Sequence, residues 1–273
     1  MANTVGSELE PFAVDQQSAS DWDDDLVSII TPAYKAAPVI RATMSSVRAQ
    51  GYENWEMLIA EDCGPDNTRE LVRNVAKQDS RIRLIEPECN GGPAAARNHA
   101  LARARGRWIA FLDSDDLWLP HKLERQLEFH RSSDDAVITF TGFRRISDDG
   151  KRQGSYIPVP PALDYRGLLG NTAIATSTVL VDRKLSGPFG MPETYYDDFA
   201  CWLSLLKDGG VAAGLDEDLM RYRVMDASVS RNKRNSAWQV WRAYREVEKL
   251  GPLVSAWYFS LYAARALHKY RQF

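Results

Sequence analysis

Apolar, strand-like runs alternate with helix-like segments through the first 113 residues, and this alternation constrains the fold most strongly. The strand-like runs are 26–30, 55–62, 82–86 and 107–113, and the helix-like segments between them are 38–50, 67–78 and 91–106. Strands that alternate with helices through short loops form parallel sheets, and such sheets carry helices on both faces. The sequence therefore predicts an α/β fold with a mostly parallel central sheet.

The pattern loosens after residue 113, which predicts a mixed second half packed on the first. Its predicted elements are a helix at 120–130, half-exposed strands at 136–146 and 155–159, an apolar strand at 176–182, a helix at 197–210 and a last strand at 219–224. A helical pattern returns from about Asn235. We predict three parts: an acidic leader over 1–25, a globular domain over 26–230, and C-terminal amphipathic helices over 231–273.

Charge is distributed unevenly although the net charge is only -3. Residues 1–25 contain seven acidic residues and no Lys or Arg, which predicts a disordered leader. Residues 221–273 contain eleven Lys or Arg against three acids. The sequence shows neither a secretory signal nor an apolar run of the roughly 20 residues that span a bilayer. The three cysteines lack CxxC spacing, so the interpretation is a reducing, cytoplasmic setting.

Three carboxylates follow the fourth predicted strand, at Asp113, Asp115 and Asp116. They repel one another unless a cation lies among them, and carboxylate oxygens are ligands that Mg²⁺ and Mn²⁺ prefer. Asp113 and Asp115 are two residues apart on an extended segment, so their side chains point the same way and can share a ligand. The alternative is an ordinary turn, with Asp116 capping a following helix.

Polar residues also follow the other predicted strands, where ligands bind in parallel α/β sheets. Tyr34, Asp62, Asn90 and Gly91 lie at these positions, and the glycine stretch 90–98 can present backbone N–H groups to an anion. The stretch matches neither GxxxxGK[ST] nor GxGxxG, which disfavours a nucleoside triphosphatase and a nicotinamide dehydrogenase.

Several segments together resemble a known family. They are VSIITPAY, LIAED, NGGPAAARNHALARARGRWIAFLDSDD and YYDDFACWLSLLKDGG. In this order they resemble family 2 inverting glycosyltransferases, which have the nucleotide-diphosphosugar transferase (GT-A) fold. The resemblance covers about 27–230, and 90–118 is its most specific part. It implies transfer of a sugar from a nucleotide-sugar, with UDP-sugar as the expected donor.

The resemblance implies roles for residues of the nucleotide pocket. Thr31, Pro32 and Tyr34 are expected to line the pocket, with Tyr34 packing on the base. Asp62 and Arg97 are expected to contact uracil or its equivalent. Asp62, which follows strand two, and Arg97, in the helix after strand three, are thus expected to contact the same base.

The same resemblance implies the catalytic and metal-binding residues. Asp113 is expected to hold the ribose side, and Asp115 of the DXD motif to bind Mn²⁺ or Mg²⁺ that bridges the diphosphate. The general base is expected to be Asp198, with the neighbouring Asp197 as the alternative. The interpretation that competes with catalysis for both is helix capping.

Three departures from the family pattern affect single residues. The acidic pair after strand two is Glu61-Asp62 followed by Cys63, where relatives have Asp-Asp and glycine. Met225 stands where many relatives have a histidine that serves as an extra metal or diphosphate ligand. The helix of the expected base begins Asp-Asp where relatives have Glu-Asp.

The basic, tryptophan-rich C-terminal part allows two interpretations. Its helices can lie on the anionic inner face of the cell membrane, where similar enzymes meet lipid-linked acceptors. Alternatively, the tryptophans pack on the domain or on a second subunit of a homo-oligomer. The acidic leader and the negative net charge disfavour nucleic-acid binding.

We therefore predict a metal-dependent inverting glycosyltransferase that acts on a glycan or lipid-linked acceptor in bacterial surface polysaccharide biosynthesis. Two alternatives stay open. One is a sugar-phosphate nucleotidylyltransferase, although TPAYKAAP lacks its glycine-rich basic signature. The other is a non-catalytic module that binds nucleotide-sugars or glycans.

Overall fold

The computed structural model describes residues 22–133, 135–194, 196–225 and 233–270. The first half alternates strands and helices as the sequence predicts. Its elements are β1 Asp23–Ala33, α1 Ile40–Arg48, β2 Trp55–Glu61, α2 Thr68–Ala76, β3 Ile82–Ile85, α3 Gly92–Leu101 and β4 Gly106–Phe111. Short loops connect these elements, so each strand is followed closely by the helix that covers it.

Strand β1 begins at Asp23, three residues before the predicted Leu26. Residues 23–25, which the predicted leader includes, therefore lie in β1, where backbone and side-chain hydrogen bonds hold this segment on the sheet. The Asp23 N–H donates to the Arg105 carbonyl at 3.0 Å, and the Trp108 indole donates to the Asp24 carbonyl at 2.9 Å. Residues 1–21 of the predicted leader, and the predicted domain boundary at 230, lie outside the described residues.

The second half is mixed, as predicted. Its elements are β5 Leu117–Trp118, α4 Lys122–Arg131, β6 Ala136–Ser147, β7 Gln153–Ile157, β8 Ala162–Leu163, α5 Tyr165–Leu169, β9 Leu180–Asp182, α6 Arg183–Ser186, α7 Asp197–Leu206 and β10 Val211–Val224. The C-terminal part comprises α8 Lys233–Arg242, a π-helical turn Ala243–Val247 and α9 Pro252–Tyr270. The return of helical structure near residue 235 is thus confirmed.

One central sheet joins the two halves, in the order β3-β2-β1-β4-β9-β6-β10-β5. The pairs β2–β3, β1–β2, β1–β4 and β6–β10 are parallel. Strand β9 is antiparallel to both β4 and β6, so it connects two parallel blocks. The predicted mostly parallel sheet is therefore confirmed, and the carboxyl ends of β1, β2 and β4 lie at one edge.

Helices cover both faces of the sheet, which produces two hydrophobic layers. Neighbouring strand residues alternate between them: Ile30 and Phe111 pack in one layer, and Ile29 and Ala110 in the other. Strands with two buried faces read as continuous apolar runs, which is why β1, β2 and β4 were recognisable in the sequence.

Three predictions for the second half are wrong in detail. The last strand is predicted to begin at residue 219, but β10 begins at Val211. Strand β6 was predicted to be half exposed, but most of its residues are buried because it lies between β9 and β10. The segment 176–182 was predicted to be one strand, but Thr176–Thr178 form a 3₁₀ turn before β9. This turn directs Thr176 and Ser177 toward the carboxyl end of β4, where they take part in the site.

Helix α4 buries a lysine completely. Lys122 is 0% exposed, and its Nζ has no hydrogen-bond partner among the residues that the structure describes. Its Nζ lies 3.9 Å from the centroid of the Trp118 ring. Burial disfavours the charged form and lowers the pKa of Lys122 well below its ordinary value.

Candidate active site

The acidic turn, defined here as residues 113–116, connects β4 to β5. It lies at the edge of the sheet where the carboxyl ends of β1, β2 and β4 meet, which is called the ligand edge below because ligands bind there in parallel α/β sheets. Side chains from distant elements hold its backbone. The Asp113 N–H donates to the Ser177 hydroxyl at 3.0 Å, and the Thr43 hydroxyl donates to the Ser114 carbonyl at 2.8 Å. The turn is thus fixed from α1 on one side and from the 3₁₀ turn on the other.

A buried guanidinium connects the acidic turn to helix α7. Arg97 is 6% exposed, and it donates to Asp113 Oδ1 and to Asp197 Oδ2, each at 2.7 Å. Burial alone would lower the pKa of Arg97, but the carboxylates of Asp113, Asp197 and Asp198 raise it above the ordinary value. Arg97 therefore stays charged and holds the two carboxylates on either side of it.

Asp197 and Asp198, the two candidate bases at the start of α7, have different environments. Asp197 is 7% exposed, and its carboxylate is paired with Arg97. Asp198 is partly exposed; it accepts the Thr176 hydroxyl at 2.6 Å and the Phe199 N–H at 2.6 Å. Burial first, and Asp198 in addition, raise the pKa of Asp197. Asp197 is thus placed as the partner of Arg97, and Asp198 is the carboxylate nearer to solvent.

Asp115 has a raised pKa. Burial first, and the charge of Asp113 second, raise the pKa of Asp115 to about 6. A divalent cation would compensate both carboxylates, and oxygen donors suit Mn²⁺ and Mg²⁺. Among the described residues, no group of three or more His, Cys, Asp or Glu side chains is arranged to hold a metal ion. Asp113 and Asp115 fit a cation that takes its other ligands from a diphosphate.

The loop before α3 folds around Asp62. The Gly91 and Gly92 N–H groups donate to its two carboxylate oxygens at 2.9 and 2.8 Å, and the Asn90 amide donates to its carbonyl at 2.8 Å. Gly92 has a φ of +81°, a left-handed backbone conformation that glycine adopts without strain. The backbone N–H groups that the sequence predicts as an anion site therefore bind the Asp62 carboxylate. Asp62 and Arg97, which are expected to contact the same base, have different hydrogen-bond partners.

The three residues predicted from the first loop differ in exposure. Thr31 is 0% exposed inside β1, Pro32 is partly buried, and Tyr34 is 48% exposed beyond the end of the strand. The Lys35 Nζ lies 5.1 Å from the centroid of the Tyr34 ring. Tyr34 therefore presents an aromatic face at the ligand edge, whereas the Thr31 side chain faces the interior.

Asp116 does not cap a helix, which corrects one interpretation of the acidic turn. The next element is β5, and Asp116 is 1% exposed beneath it. Asp116 Oδ1 accepts the Arg223 N–H from β10 at 2.9 Å. Burial first, and the charges of Asp115 and Asp113 in addition, raise the pKa of Asp116 well above its ordinary value. Its role is to connect the turn to β10.

Sequence reasoning missed three residues of this region, Thr176, Ser177 and Arg223. Thr176 and Ser177 contact Asp198 and Asp113, and Arg223 contacts the acidic turn. No local pattern marks them, because their partners lie 22, 64 and 108 residues away along the chain. Met225, which stands in place of the family histidine, packs partly buried against the hydrophobic layer next to β10.

The C-terminal helices divide their aromatic residues between the protein and the solvent. Trp241 packs edge-on against Phe259, with ring centroids 5.7 Å apart. Trp238 and Trp257 are 59% and 63% exposed. Trp241 therefore packs between the two C-terminal helices, whereas Trp238 and Trp257 are exposed on this chain. No helix in the described parts of the chain is both long and apolar enough to cross a bilayer.

A comparison with family models matches residues 28–184 to "Glycosyl transferase family 2". Among curated proteins, the putative teichuronic acid biosynthesis glycosyltransferase TuaG of Bacillus subtilis is 44% identical over 245 residues, or 89% of this chain and 97% of TuaG. An Escherichia coli protein, WfgD, is 38% identical over 249 residues, which cover 91% of this chain and 96% of WfgD. It is named UDP-Glc:alpha-D-GlcNAc-diphosphoundecaprenol beta-1,3-glucosyltransferase.

Solved structures with a similar fold include TarS 1-349 of S. aureus in complex with UDP-GlcNAc. Its TM-score is 0.68 at 18% identity, over 87% of this chain and 71% of TarS 1-349. The mannosyltransferase PcManGT of Pyrobaculum calidifontis, in complex with GDP-Man and Mn²⁺, has a TM-score of 0.65 at 19% identity, over 87% of this chain and 73% of its own. These similarities show that the chain has the GT-A fold.

Proposed function

Since the chain belongs to glycosyltransferase family 2, we propose that it is an inverting, metal-dependent enzyme that transfers a sugar from a UDP-sugar to an acceptor hydroxyl. The observation that carries the proposal is the Arg97 bridge, which sets the acidic turn beside the start of α7. A site for the leaving diphosphate and a partly exposed carboxylate are thereby adjacent.

Asp198 is the proposed general base. Inversion needs one carboxylate that accepts the proton of the acceptor hydroxyl on the face opposite the leaving group. Two catalytic carboxylates, as in glycoside hydrolysis, are not required. The Thr176 hydroxyl and the Phe199 N–H orient the Asp198 carboxylate. Asp197, already paired with Arg97, is the weaker candidate because proton transfer to it would remove the charge that Arg97 balances.

The acidic turn is the proposed site for the nucleotide diphosphate. Asp115 would hold Mn²⁺ or Mg²⁺, with Asp113 beside it on the ribose side. The cation would stabilise the negative charge that develops on the departing diphosphate. Tyr34 offers an exposed ring on which a base can stack, and Asp62 lies at the carboxyl end of the neighbouring strand β2. Stacking on an aromatic ring is independent of the base, so the choice of uracil rests on the relatives.

The similar proteins suggest the acceptor. One is named for teichuronic acid biosynthesis, and another for transfer to a sugar linked to diphosphoundecaprenol. We therefore propose a lipid-linked glycan acceptor and a place in bacterial surface polysaccharide biosynthesis, at the cytoplasmic face of the membrane. A sugar-phosphate nucleotidylyltransferase is no longer an alternative, since the family transfers sugars. A module without turnover remains the outcome that an assay has to exclude.

Incubation with a panel of nucleotide-sugars, Mn²⁺ and a lipid-diphosphate-linked sugar is expected to release UDP from a UDP-sugar only. EDTA should stop the release, and Asp115→Asn should lower its rate by about 10²-fold or more, since the cation that would stabilise the diphosphate loses its carboxylate ligand. Nucleotide release and the linked product are measured by chromatography. Asp135→Asn, a change at an exposed residue between α4 and β6, serves as the control. Absence of turnover with every donor would leave a binding module.

The start of α9 is proposed to contact an anionic bilayer. Leu253, Val254 and Trp257 are 87%, 46% and 63% exposed, and the cationic side chains of Arg245 and Lys249 are exposed just before them. Apolar side chains beside cations are typical of interfacial helices. The two acids of this region, Glu246 and Glu248, are paired with Arg242 and Lys207, so they do not offset those cations.

Vesicle flotation tests this contact. The protein is expected to float with phosphatidylglycerol-containing vesicles and much less with phosphatidylcholine alone. A Leu253→Ser, Trp257→Ser double variant should stay in solution, and Trp238→Ser, which removes an exposed tryptophan of α8, is the matched comparison. If the double variant floats normally and instead dissociates a dimer in sedimentation, the patch is a subunit interface.

A further inference from the structure

Arg223 joins segments that are far apart along the chain. It is the penultimate residue of β10 and is 6% exposed. Its Nε donates to the Asp115 carbonyl at 2.8 Å, and its Nη1 donates to the Asp148 carbonyl at 2.6 Å. Its backbone N–H donates to Asp116 Oδ1 at 2.9 Å. One residue of β10 therefore contacts the acidic turn twice and the turn between β6 and β7 once.

The chemistry of these contacts requires arginine. A guanidinium presents several N–H donors in one rigid plane and stays charged at every pH that a protein tolerates. It can therefore donate at the same time to two carbonyl groups that belong to different segments. A lysine ammonium is a single donor centre on a flexible stem, so it cannot hold both carbonyl groups at a fixed separation.

The sheet itself does not need these contacts. Strands β6 and β10 already pair without interruption from Met220 and Phe143 to Val224 and Ser147. The Arg223 side chain reaches beyond this ladder to the carbonyl of Asp115, the residue whose carboxylate is proposed to bind the cation. Because carbonyl and carboxylate belong to one residue, a shift of the first changes the direction of the second.

We propose that Arg223 is a positioning residue that holds the Asp115 backbone so that its carboxylate faces the divalent cation and the diphosphate; this rests on the proposed function. In other proteins, side chains that orient metal ligands have this role, and their loss lowers metal affinity by about 10–100-fold.

Binding of Mn²⁺, followed by the electron paramagnetic resonance signal of the free ion in the presence of UDP, tests the role without turnover. Arg223→Met is expected to weaken Mn²⁺ binding by about 10–100-fold, and Arg223→Lys to restore it only in part. Affinity for UDP in EDTA should change little. In the transfer assay, KM for the donor should rise while KM for the acceptor stays constant.

Arg221→Met is the matched control. Arg221 has the same side-chain direction two residues earlier on β10, but it contacts Asp218 and Gln153 instead of the acidic turn. The Arg221→Met variant should bind Mn²⁺ like the wild type.

Normal Mn²⁺ binding by both Arg223 variants would overturn the inference. A loss of UDP affinity that is equal with and without metal would also overturn it, because that pattern indicates a general loss of structure. If Arg223→Met does not fold, Arg223→Lys is measured in its place. A wild type that binds no Mn²⁺ with UDP would instead remove the metal from the proposed function.

Discussion

Replacing Asp198 by asparagine is expected to lower kcat for sugar transfer by about 10²–10⁴-fold, because the acceptor hydroxyl would lose its proposed proton acceptor. Asparagine has nearly the same shape and can still accept the hydrogen bond from Thr176 or from the Phe199 N–H. Affinity for the UDP-sugar should therefore stay close to that of the wild type. Steady-state rates and calorimetric titration with UDP measure the two quantities separately.

Asp197→Asn is the informative comparison for this experiment. It removes the charge that faces Arg97 at 2.7 Å, so it should lower thermal stability and disturb donor binding through Asp113. Asp198→Asn should do neither. If Asp198→Asn loses donor affinity and Asp197→Asn alone loses turnover at normal affinity, the two carboxylates have exchanged roles. Full activity of Asp198→Asn would exclude it as the base.

Replacing Lys122 by methionine is expected to stabilise the protein, by at least about 2 kcal/mol at pH 7. The buried amine of Lys122 has no hydrogen-bond partner among the described residues, and methionine fills a similar volume without a polar atom. For a domain of this size the melting temperature should rise by roughly 4–8 °C. Thermal unfolding followed by circular dichroism measures the change.

The pH dependence of this gain has a definite sign. Burial lowers the pKa of Lys122 in the folded state, whereas in the unfolded chain it is about 10.4. Between the two values the unfolded state binds one proton more, so the wild type gains stability as pH rises, by up to about 1.4 kcal/mol per pH unit. The advantage of Lys122→Met should therefore shrink from pH 7 toward pH 10.

An exposed lysine provides the control for both measurements. Lys77, at the end of α2, is exposed, and Lys77→Met should leave the stability and its pH dependence nearly unchanged. A destabilised Lys122→Met would contradict the prediction, as would a gain that does not vary with pH. Either result would mean that the amine is charged and satisfied in solution, for example by internal water.

The sequence predicted the first half of the fold well because β1, β2 and β4 are buried on both faces and therefore appear as mostly apolar runs. Strand β6 was misjudged because Thr139 and Thr141 resemble solvent-facing positions. Both are 0% exposed, and Gln126 of α4 donates to the Thr139 carbonyl at 3.0 Å and to its hydroxyl at 3.2 Å. Burial of a polar residue depends on partners that local patterns do not reveal.

The sequence predicts which edge of the sheet carries the candidate site, but it predicts few of the contacts within that site. Strand order alone brings Tyr34, Asp62 and the acidic turn to one edge of the sheet. That Arg97 pairs with Asp197, 100 residues away, follows only from the packing of α7 against α3 and β4. The resemblance to a family supplied candidate residues, but it did not indicate which of them contact each other.

The long separations within the site determine which pieces of the chain can carry it. The family match ends at residue 184, yet two groups that shape the site follow later. Asp197 pairs with Arg97 across 100 residues, and Arg223 contacts the acidic turn across 108 residues. A fragment cut to the matched segment would keep the DXD sequence and lose the groups that shape it. Closing such long loops is also slow, so the edge formed by β1, β2 and β4 can form during folding before the acidic turn acquires its final geometry.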